Sequence, residues 1–381
     1  MNPIKNWIKY IYYTLRDLAI PKSHSKEKAN SLVILRMDAI GDYILFRNFI
    51  EVIATSSKYK NYSITLIGNS LWSKIAEELD KDWIHDFIWI DPNKFQKDFS
   101  YRKQKVKELR MYQYSLLFHP VSSRDYYVAE SISYFIEAKE KVTVKGDTLN
   151  ISSWQKKKSD KGYDFFLNNP ENVRFEFLKN LKLIEDFLGT ELHTIFGIDR
   201  SGIAISRPLQ EKYILLFIGG SADFKKWSNK NWVDLIEKIL SNYSHSIVLA
   251  GGPDDLQAGL AIKGKYKDEK RVINLCGKTT LLELITLIST TEWMISNETS
   301  APHIAAAQGV PVLVLSNGNH YGRFLPYPQS VFDKHFSIFS IEIEEEENED
   351  VLYDKYADGS DLSIDSIQVD AVFNNISKNL T

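Results

Sequence analysis

From Ser31 onward the chain alternates short apolar runs with longer amphipathic ones, and it does so in two separate series. In the first, "SLVILRM", "YSITLIG", "FIWID", "YSLLFHP" and "KVTVKG" read as strands, with helices expected at 42–57, 70–80, 98–110 and 124–136. Strands that alternate with helices predict a parallel sheet covered by those helices. A basic, polar stretch, "SSWQKKKSDKG" at 152–162, interrupts the pattern and predicts a mobile loop, followed by a helix over "PENVRFEFLKNLKLIEDFLG". The second series starts at Lys212 with "YILLFIGGS", "SIVLAGG", "VINLCGK", "WMISNE" and "VPVLVLSNG", and helices are expected at 230–243, 255–263 and 280–290.

Two such series, joined near 190–210, predict an α/β chain of two Rossmann-like domains facing each other across a central cleft. The expected divisions are an amphipathic N-terminal segment at 1–30, a first domain at 31–190 and a second at 210–345. A last helix near 363–377, within 360–381, is expected to pack back on the first domain. The acidic run "EIEEEENED" at 342–350 reads as a solvated loop.

Composition narrows the function classes. With 381 residues, 44% of them hydrophobic and 25% charged, the chain can build two cores of ordinary soluble type. A net charge of -3 supplies no basic field, which argues against a nucleic-acid partner. Cys276, the single cysteine, excludes an internal disulfide framework and is expected in a core. The N-terminal "MNPIKNWIKYIYYTLRDLAI" is too interrupted by charge to be a signal peptide or a membrane span. It reads as an amphipathic helix with Ile4, Trp7, Ile8, Ile11 and Leu15 near one face and Lys5, Lys9 and Arg16 elsewhere. Such a helix either lies on an anionic membrane surface or docks on the domain.

Ligands of open parallel sheets sit beyond the C-terminal ends of the strands, so the loops there carry the candidate chemistry. In "VILRMDAIGDYILF", Gly41 permits a tight turn and Asp42 begins the helix, either as a cap or facing the cleft, with Asp38 competing for the cap. In "FIGGSADFKKWSNKNW", Gly219 and Gly220 let backbone amides approach an anion, and Lys225 or Lys226 adds positive charge, while Trp227 and Trp232 read as packing anchors. "LAGGPDD" places Gly252 after a strand and offers Asp254 as a helix cap or as a carboxylate for sugar hydroxyls. In "ISNETSAPHIAAAQG", Thr299 and Ser300 add hydroxyls to the unpaired amides of a helix start, with His303 in its first turn and Glu298 beside it. That combination suits a diphosphate. The loop "SNGNHYGRFLPYP" adds Arg323 for an anion and Tyr321 and Tyr327 for stacking, or else is a rigid, proline-stopped loop.

Five blocks carry a family resemblance: "VILRMDAIGDYILF", "KKWSNKNWVDLI", "LAGGPDD", "NLCGKTTLLELITLI" and "ISNETSAPHIAAAQGVPVLVL". In this order and spacing the chain resembles the glycosyltransferase family nine heptosyltransferases over most of residues 31–330. The resemblance implies a GT-B arrangement and an inverting, metal-independent transfer of heptose or a related sugar from a nucleotide-diphosphate donor, ADP-heptose, to lipopolysaccharide, lipooligosaccharide or a related surface glycan. It implies no cofactor, an acceptor domain followed by a donor domain, and a cytoplasmic location peripheral to the inner face of the bacterial inner membrane.

Carried across by position, the resemblance makes Asp42 the general base and Lys225 the contact to the donor phosphate or sugar. Asp254 then meets the donor ribose, and Thr299, Ser300 and His303 hold the pyrophosphate, which Lys225, His303 and the helix start stabilise as it leaves. Gly41 and Arg323 remain candidates on the acceptor or loop side. This chain departs from the family pattern at Glu298-Thr299-Ser300, where Asp-Ser/Thr-Gly is usual, which implies a reshaped sugar pocket. A GT-B sugar-nucleotide epimerase and a catalytically silent nucleotide-sugar-binding homologue are the alternative readings.

Overall fold

A computed structural model of the chain describes residues 3–21, 25–170, 172–193, 196–198 and 211–378, with side chains from Trp7 onward. The expected roles of the Ile4 and Lys5 side chains, and most of the expected joint near 190–210, lie outside the described residues. The chain forms two compact units. The first comprises Met1–Tyr43, Phe49–Glu171 and Lys179–His193; the second comprises Ile44–Asn48, Asn172–Leu178 and Thr194–Thr381.

Each unit is built on one six-stranded sheet. In the first the strands are β1 (Lys26–Arg36), β2 (Ser63–Asn69), β3 (Asp86–Ile90), β4 (Tyr112–His119), β5 (Glu137–Val144) and β6 (Phe165–Leu167), in the order β3-β2-β1-β4-β5-β6. Every pairing is parallel; Ile34 of β1, for instance, stands opposite Leu66 of β2 and Phe118 of β4. The second sheet holds β7 (Tyr213–Phe217), β8 (Ser246–Ala250), β9 (Val272–Asn274), β10 (Trp293–Asn297), β11 (Val312–Ser316) and β12 (His335–Phe339). Its order, β12-β11-β10-β7-β8-β9, is again all parallel. Counted within its own unit and read from the other edge, it repeats the first sheet's order. Both therefore have the doubly wound Rossmann order, with its direction reversing between β1 and β4 and between β7 and β10.

The apolar runs form strands because helices cover both faces of such a sheet. All five residues of β7, of β8, of β10 and of β11 are buried. The first core gathers Val33, Leu35, Ile67, Ile90, Phe95 and Leu117; the second gathers Ile214, Leu216, Trp227, Trp232, Ile236 and Ile295. Cys276 lies in the second core, where burial pushes its thiol up to about 12 and leaves it inert.

Several expectations are corrected. The stretch at 152–162 is a helix, Ser153–Ser159, followed by a 3-10 turn at Asp160–Gly162. Ser152 and Gln155 form a capping box at its start, with the Ser152 amide donating to Gln155 Oε1 at 3.0 Å, and Lys156 pairs with Asp160 one turn later at 2.7 Å. The acidic run is helical at both ends, in Ile341–Glu344 and Glu349–Tyr356, because Ile343 and Leu352 anchor it in the interior. The expected helix 42–57 is two, Ile40–Ile44 and Asn48–Thr55. The C-terminal helix Val369–Ser377 packs on the second unit's own core through Val372 and Ile376. Burying two such side chains stabilises that placement by roughly 1.5–3 kcal/mol each.

Candidate active site

The direction of the second sheet reverses between β7 and β10, the place where open parallel sheets bind ligands beyond the C-terminal ends of their strands. Asn297, the last residue of β10, ties the loops after β7 and β10 together. Its Nδ2 donates to the carbonyls of Ile218 (2.8 Å) and Gly219 (3.1 Å), and its Oδ1 accepts from the Trp227 amide (3.2 Å). Trp227 is itself fixed in the core, edge-on to Trp232 with its indole N–H on the Ile367 carbonyl. The loop that carries Lys225 and Lys226 is thereby held at both ends.

Lys225 Nζ donates to Glu298 Oε1 at 3.0 Å, and both side chains are largely buried. The second carboxylate oxygen of Glu298 accepts from the Ser316 hydroxyl at the end of β11. The extra methylene of glutamate is thus used to reach both partners. Ser300 has φ -72° and ψ -23°, an ordinary helical conformation, so its side chain is accommodated without backbone strain. The Thr299 hydroxyl accepts from the Ala301 amide at 3.3 Å, while the Ser300 hydroxyl has no side-chain or cap partner among the described residues.

His303 is buried in the helix Ala301–Ala307, with Nδ1 2.7 Å from the Tyr327 hydroxyl. Burial lowers the histidine to about 3, with the Lys225 ammonium pushing the same way against Glu176, so the ring is neutral at pH 7. Burial also raises Tyr327 well above the usual phenol range, so its hydroxyl keeps its proton and donates it to Nδ1. The His303 tautomer is then Nε2–H, a neutral donor. Tyr327 is not available as a stacking platform, because it is buried between His303 and His335, and its ring lies parallel to His335 with centroids 3.9 Å apart. Tyr321 is likewise buried.

The neighbouring loop after β8 distinguishes two adjacent aspartates. Asp254 is exposed and has no side-chain partner among the described residues. Asp255 is buried; its Oδ2 accepts from the Gly252 amide at 2.9 Å, and its Oδ1 lies 3.0 Å from Lys226 Nζ. A Cβ on Gly219 would come within 2.4 Å of Asp255 Oδ2, and one on Gly220 within 2.9 Å of Lys226 Cγ. These glycines therefore make room for the protein's own ion pair. Arg323 is engaged too: its Nε donates to Glu176 at 2.9 Å, and its guanidinium lies 4.6 Å from the Phe324 ring centre.

In the first unit the sheet reverses between β1 and β4. Arg36, at the end of β1, is buried; it pairs with Asp38 and donates to the Pro120 carbonyl after β4 at 3.3 Å. Asp38 is consumed by that pair, so it does not compete to cap the next helix. The Trp72 indole N–H donates to the Asp38 carbonyl at 3.1 Å, and Tyr43 stacks on Trp72 with centroids 4.1 Å apart while its hydroxyl binds Asp80. The helix opens at Ile40, so Gly41 lies inside it and Asp42 is its third residue, half-buried, in the first turn rather than at the cap. A cavity of about 460 Å³ in the same unit lies elsewhere, lined by Tyr10, Tyr13, Tyr127 and Tyr163.

The model of glycosyltransferase family 9 (heptosyltransferase) matches residues 152–346. The chain belongs to glycosyltransferase family 9. A curated relative, lipooligosaccharide heptosyltransferase 2 of Haemophilus influenzae, is 32% identical over 140 residues, which is 35% of this chain and 38% of that protein. The match thus spans well under half the length of that relative. ADP-heptose LPS heptosyltransferase II of E. coli superposes with TM-score 0.67 at 16% identity, covering 91% of this chain and 98% of that one. A family 9 glycosyltransferase of Veillonella parvula gives TM-score 0.65 at 14% identity, covering 94% and 98%. At these identities the likeness is one of fold, the GT-B class of two Rossmann-like units.

Within this family 9 chain the structure brings Gly219, Gly220, Lys225, Glu298 and Thr299 onto the two loops of one reversal, and His303 onto the helix that follows. Asp254 stands apart from the hydrogen-bonded group. Sequence reasoning gave no role to Asn297 or Asp255, and it read Tyr327 as a stacking residue where the structure makes it the buried partner of His303. The spacing Gly252-x-x-Asp255 was a usable signal, because a carboxylate three residues on reaches back to the first amide of a turn. Among the described residues no three His, Cys, Asp or Glu side chains gather as a metal site, and no helix is long and apolar enough to cross a membrane.

Proposed function

We propose that this chain is an inverting glycosyltransferase that moves a heptose or related sugar from ADP-heptose to a lipopolysaccharide or lipooligosaccharide acceptor. The observation that carries the reading is the Lys225–Glu298 pair set across the reversal of the second sheet, beside the amides and hydroxyls of Thr299 and Ser300. The second unit is the donor domain in this reading, with Gly219, Gly220, Lys225, Gly252, Asp254, Glu298, Thr299, Ser300 and His303 on the nucleotide side. The first unit is the acceptor domain and supplies Asp42, with Gly41 beside it. The matched H. influenzae heptosyltransferase 2 and the E. coli enzyme named for ADP-heptose support the choice of donor and acceptor. Location at the inner face of the bacterial inner membrane is the corresponding site of action.

Transfer proceeds in one displacement. The Asp42 carboxylate takes the proton of the acceptor hydroxyl as that oxygen bonds to C1 of the sugar, and the C1–O bond to phosphate breaks with its electron pair leaving on the diphosphate. One displacement inverts the anomeric centre. The charge gained by the leaving group is met by the Lys225 ammonium, by the amides at the start of the helix Ala301–Ala307 and by the neutral Nε2–H of His303. With that charge met by protein groups, turnover should persist in excess chelator. The test is to incubate the chain with ADP-heptose and a heptose-lacking lipopolysaccharide acceptor, with and without chelator, and to assign the new linkage by NMR. Absence of transfer rejects the reaction; retained configuration rejects the single displacement; loss of turnover in chelator rejects metal independence.

A further inference from the structure

Among its described side chains, the N-terminal helix Pro3–Leu18 is attached to the first unit by one side. Asp17 accepts from two guanidinium nitrogens of buried Arg102, at 2.6 and 2.7 Å. The Tyr13 hydroxyl and Arg16 Nη1 both donate to the Gln96 carbonyl, at 3.0 and 3.2 Å. Tyr10 meets Trp154 edge-on at 5.3 Å. At 3.6 residues per turn, Tyr10, Tyr13, Arg16 and Asp17 share one side of the helix. Trp7, Ile8, Ile11, Leu15 and Leu18 share the other, and they are 61%, 63%, 38%, 63% and 76% exposed. A helix docked for burial turns its apolar stripe inward. This one is fastened by its polar and aromatic side and holds its apolar stripe outward.

The surroundings of the stripe are basic. The helix Ser153–Ser159, which touches Tyr10 through Trp154 and through a hydrogen bond from Lys158, carries Lys156, Lys157 and Lys158, and Lys161 follows. Lys157, Lys158 and Lys161 are exposed. Two acids beside these lysines are paired: Asp17 with Arg102, and Asp160 with Arg124 and Lys156. A second copy docked on the stripe by two-fold symmetry would bring the same lysines toward one another. An apolar stripe bordered by the exposed ammonium groups of Lys157, Lys158 and Lys161 matches a bilayer whose surface is negative. We propose that this composite face, the outward side of the N-terminal helix with the lysines of 153–161, seats on an anionic lipid surface while the first unit stays folded beneath it. The inference stands on the first unit alone and does not depend on the transferred sugar.

The full chain is co-sedimented with vesicles of phosphatidylglycerol and phosphatidylethanolamine, and with vesicles of phosphatidylcholine. Binding to the anionic vesicles is expected, with at least a tenfold loss of partition in the double variant Ile8→Glu/Leu15→Glu. The double variant Lys157→Gln/Lys161→Gln is expected to lose about fivefold per lysine, and high salt should reproduce most of that loss. The replaced side chains are exposed, so unchanged circular dichroism and melting are expected of both variants. The proposal is overturned if wild type and both variants partition alike, or if binding to phosphatidylcholine equals that to the anionic vesicles. It is also overturned if the wild type ignores vesicles and sediments as a dimer that Ile8→Glu/Leu15→Glu dissociates.

Discussion

In the second unit the loops flanking the sheet reversal are closed onto each other by charge and amide contacts. Lys225 meets Glu298 and Asn297 spans the carbonyls of Ile218 and Gly219, while Lys226 ties the same loop to Asp255 on the neighbouring loop after β8. In the first unit the corresponding loops are joined through one buried cation, Arg36, which takes Asp38 and the Pro120 carbonyl, while the Tyr43–Trp72 stack ties the segment after β1 to that after β2. In the proposed function the same strand order therefore frames two different kinds of site. The second unit pre-arranges cations and donors at fixed places, which suits holding a diphosphate. The first uses its ion pair and ring stack as scaffold and leaves Asp42 half-buried in the first turn of a short helix, which suits a proton acceptor that must meet a second substrate.

The largest expected effect tests the first unit's side of that contrast. Asp42→Asn keeps the shape and polarity of the side chain but cannot take a proton, so turnover should fall about 100-fold or more while melting and nucleotide affinity hold. Steady-state transfer measured beside nucleotide titration checks it, and full activity in the variant would move the base elsewhere, with Glu298 the next candidate. The second effect probes the cradle. Lys225→Ala should weaken ADP binding by roughly 10- to 100-fold, the scale of a charge-assisted hydrogen bond of about 1.5–3 kcal/mol. Calorimetric titration of Lys225→Ala/Glu298→Gln then sharpens the assignment. If the double variant regains wild-type affinity, Lys225 serves only to neutralise Glu298 and does not touch the phosphate.

How much of this was legible in the sequence differs between elements for physical reasons. The strands "YILLF" and "SIVLA" are continuous apolar runs because both faces of the sheet are covered, and such runs announce themselves. β6 is three residues long, and β12, "HFSIF", mixes polar with apolar positions; neither has a run long enough to read. The capping box of Ser152 and Gln155 was readable, but the lysines that follow it looked like a loop. Among site residues, Glu298, Lys225 and His303 stood out by type and position. The bridging of Asn297 to carbonyls nearly 80 positions earlier is a tertiary fact that no local pattern carries, and the choice between Asp254 and Asp255 turned on which one the fold buries.

The smallest effect compares a buried histidine of each unit in acid and at pH 7. His119 in the first and His303 and His335 in the second are all buried with pKa values held below the usual 6.5 by burial. An unfolded histidine takes a proton near 6.5, whereas these folded ones take it only at much lower pH. The unfolded state therefore binds more protons in that window, so the stability these residues allow is complete above about pH 6.5 and declines as pH falls below it, by at most about 1.4 kcal/mol per pH unit for each. For His303 the decline ends near pH 3. Among the described residues neither ring nitrogen of His335 has a side-chain hydrogen-bond partner, and its ring stacks on Tyr327, so His335→Phe gives up no side-chain hydrogen bond there. It should leave urea unfolding at pH 7 nearly unchanged and flatten the decline between pH 6.5 and 4.5. His119 Nδ1, by contrast, is bound to the Tyr163 hydroxyl at 2.8 Å, so His119→Phe should flatten the same decline but already cost about 1 kcal/mol at pH 7. Equal losses at pH 7 in the two variants would mean that His335 has a partner its surroundings do not reveal, and the distinction between a stacked and a hydrogen-bonded buried histidine would fail.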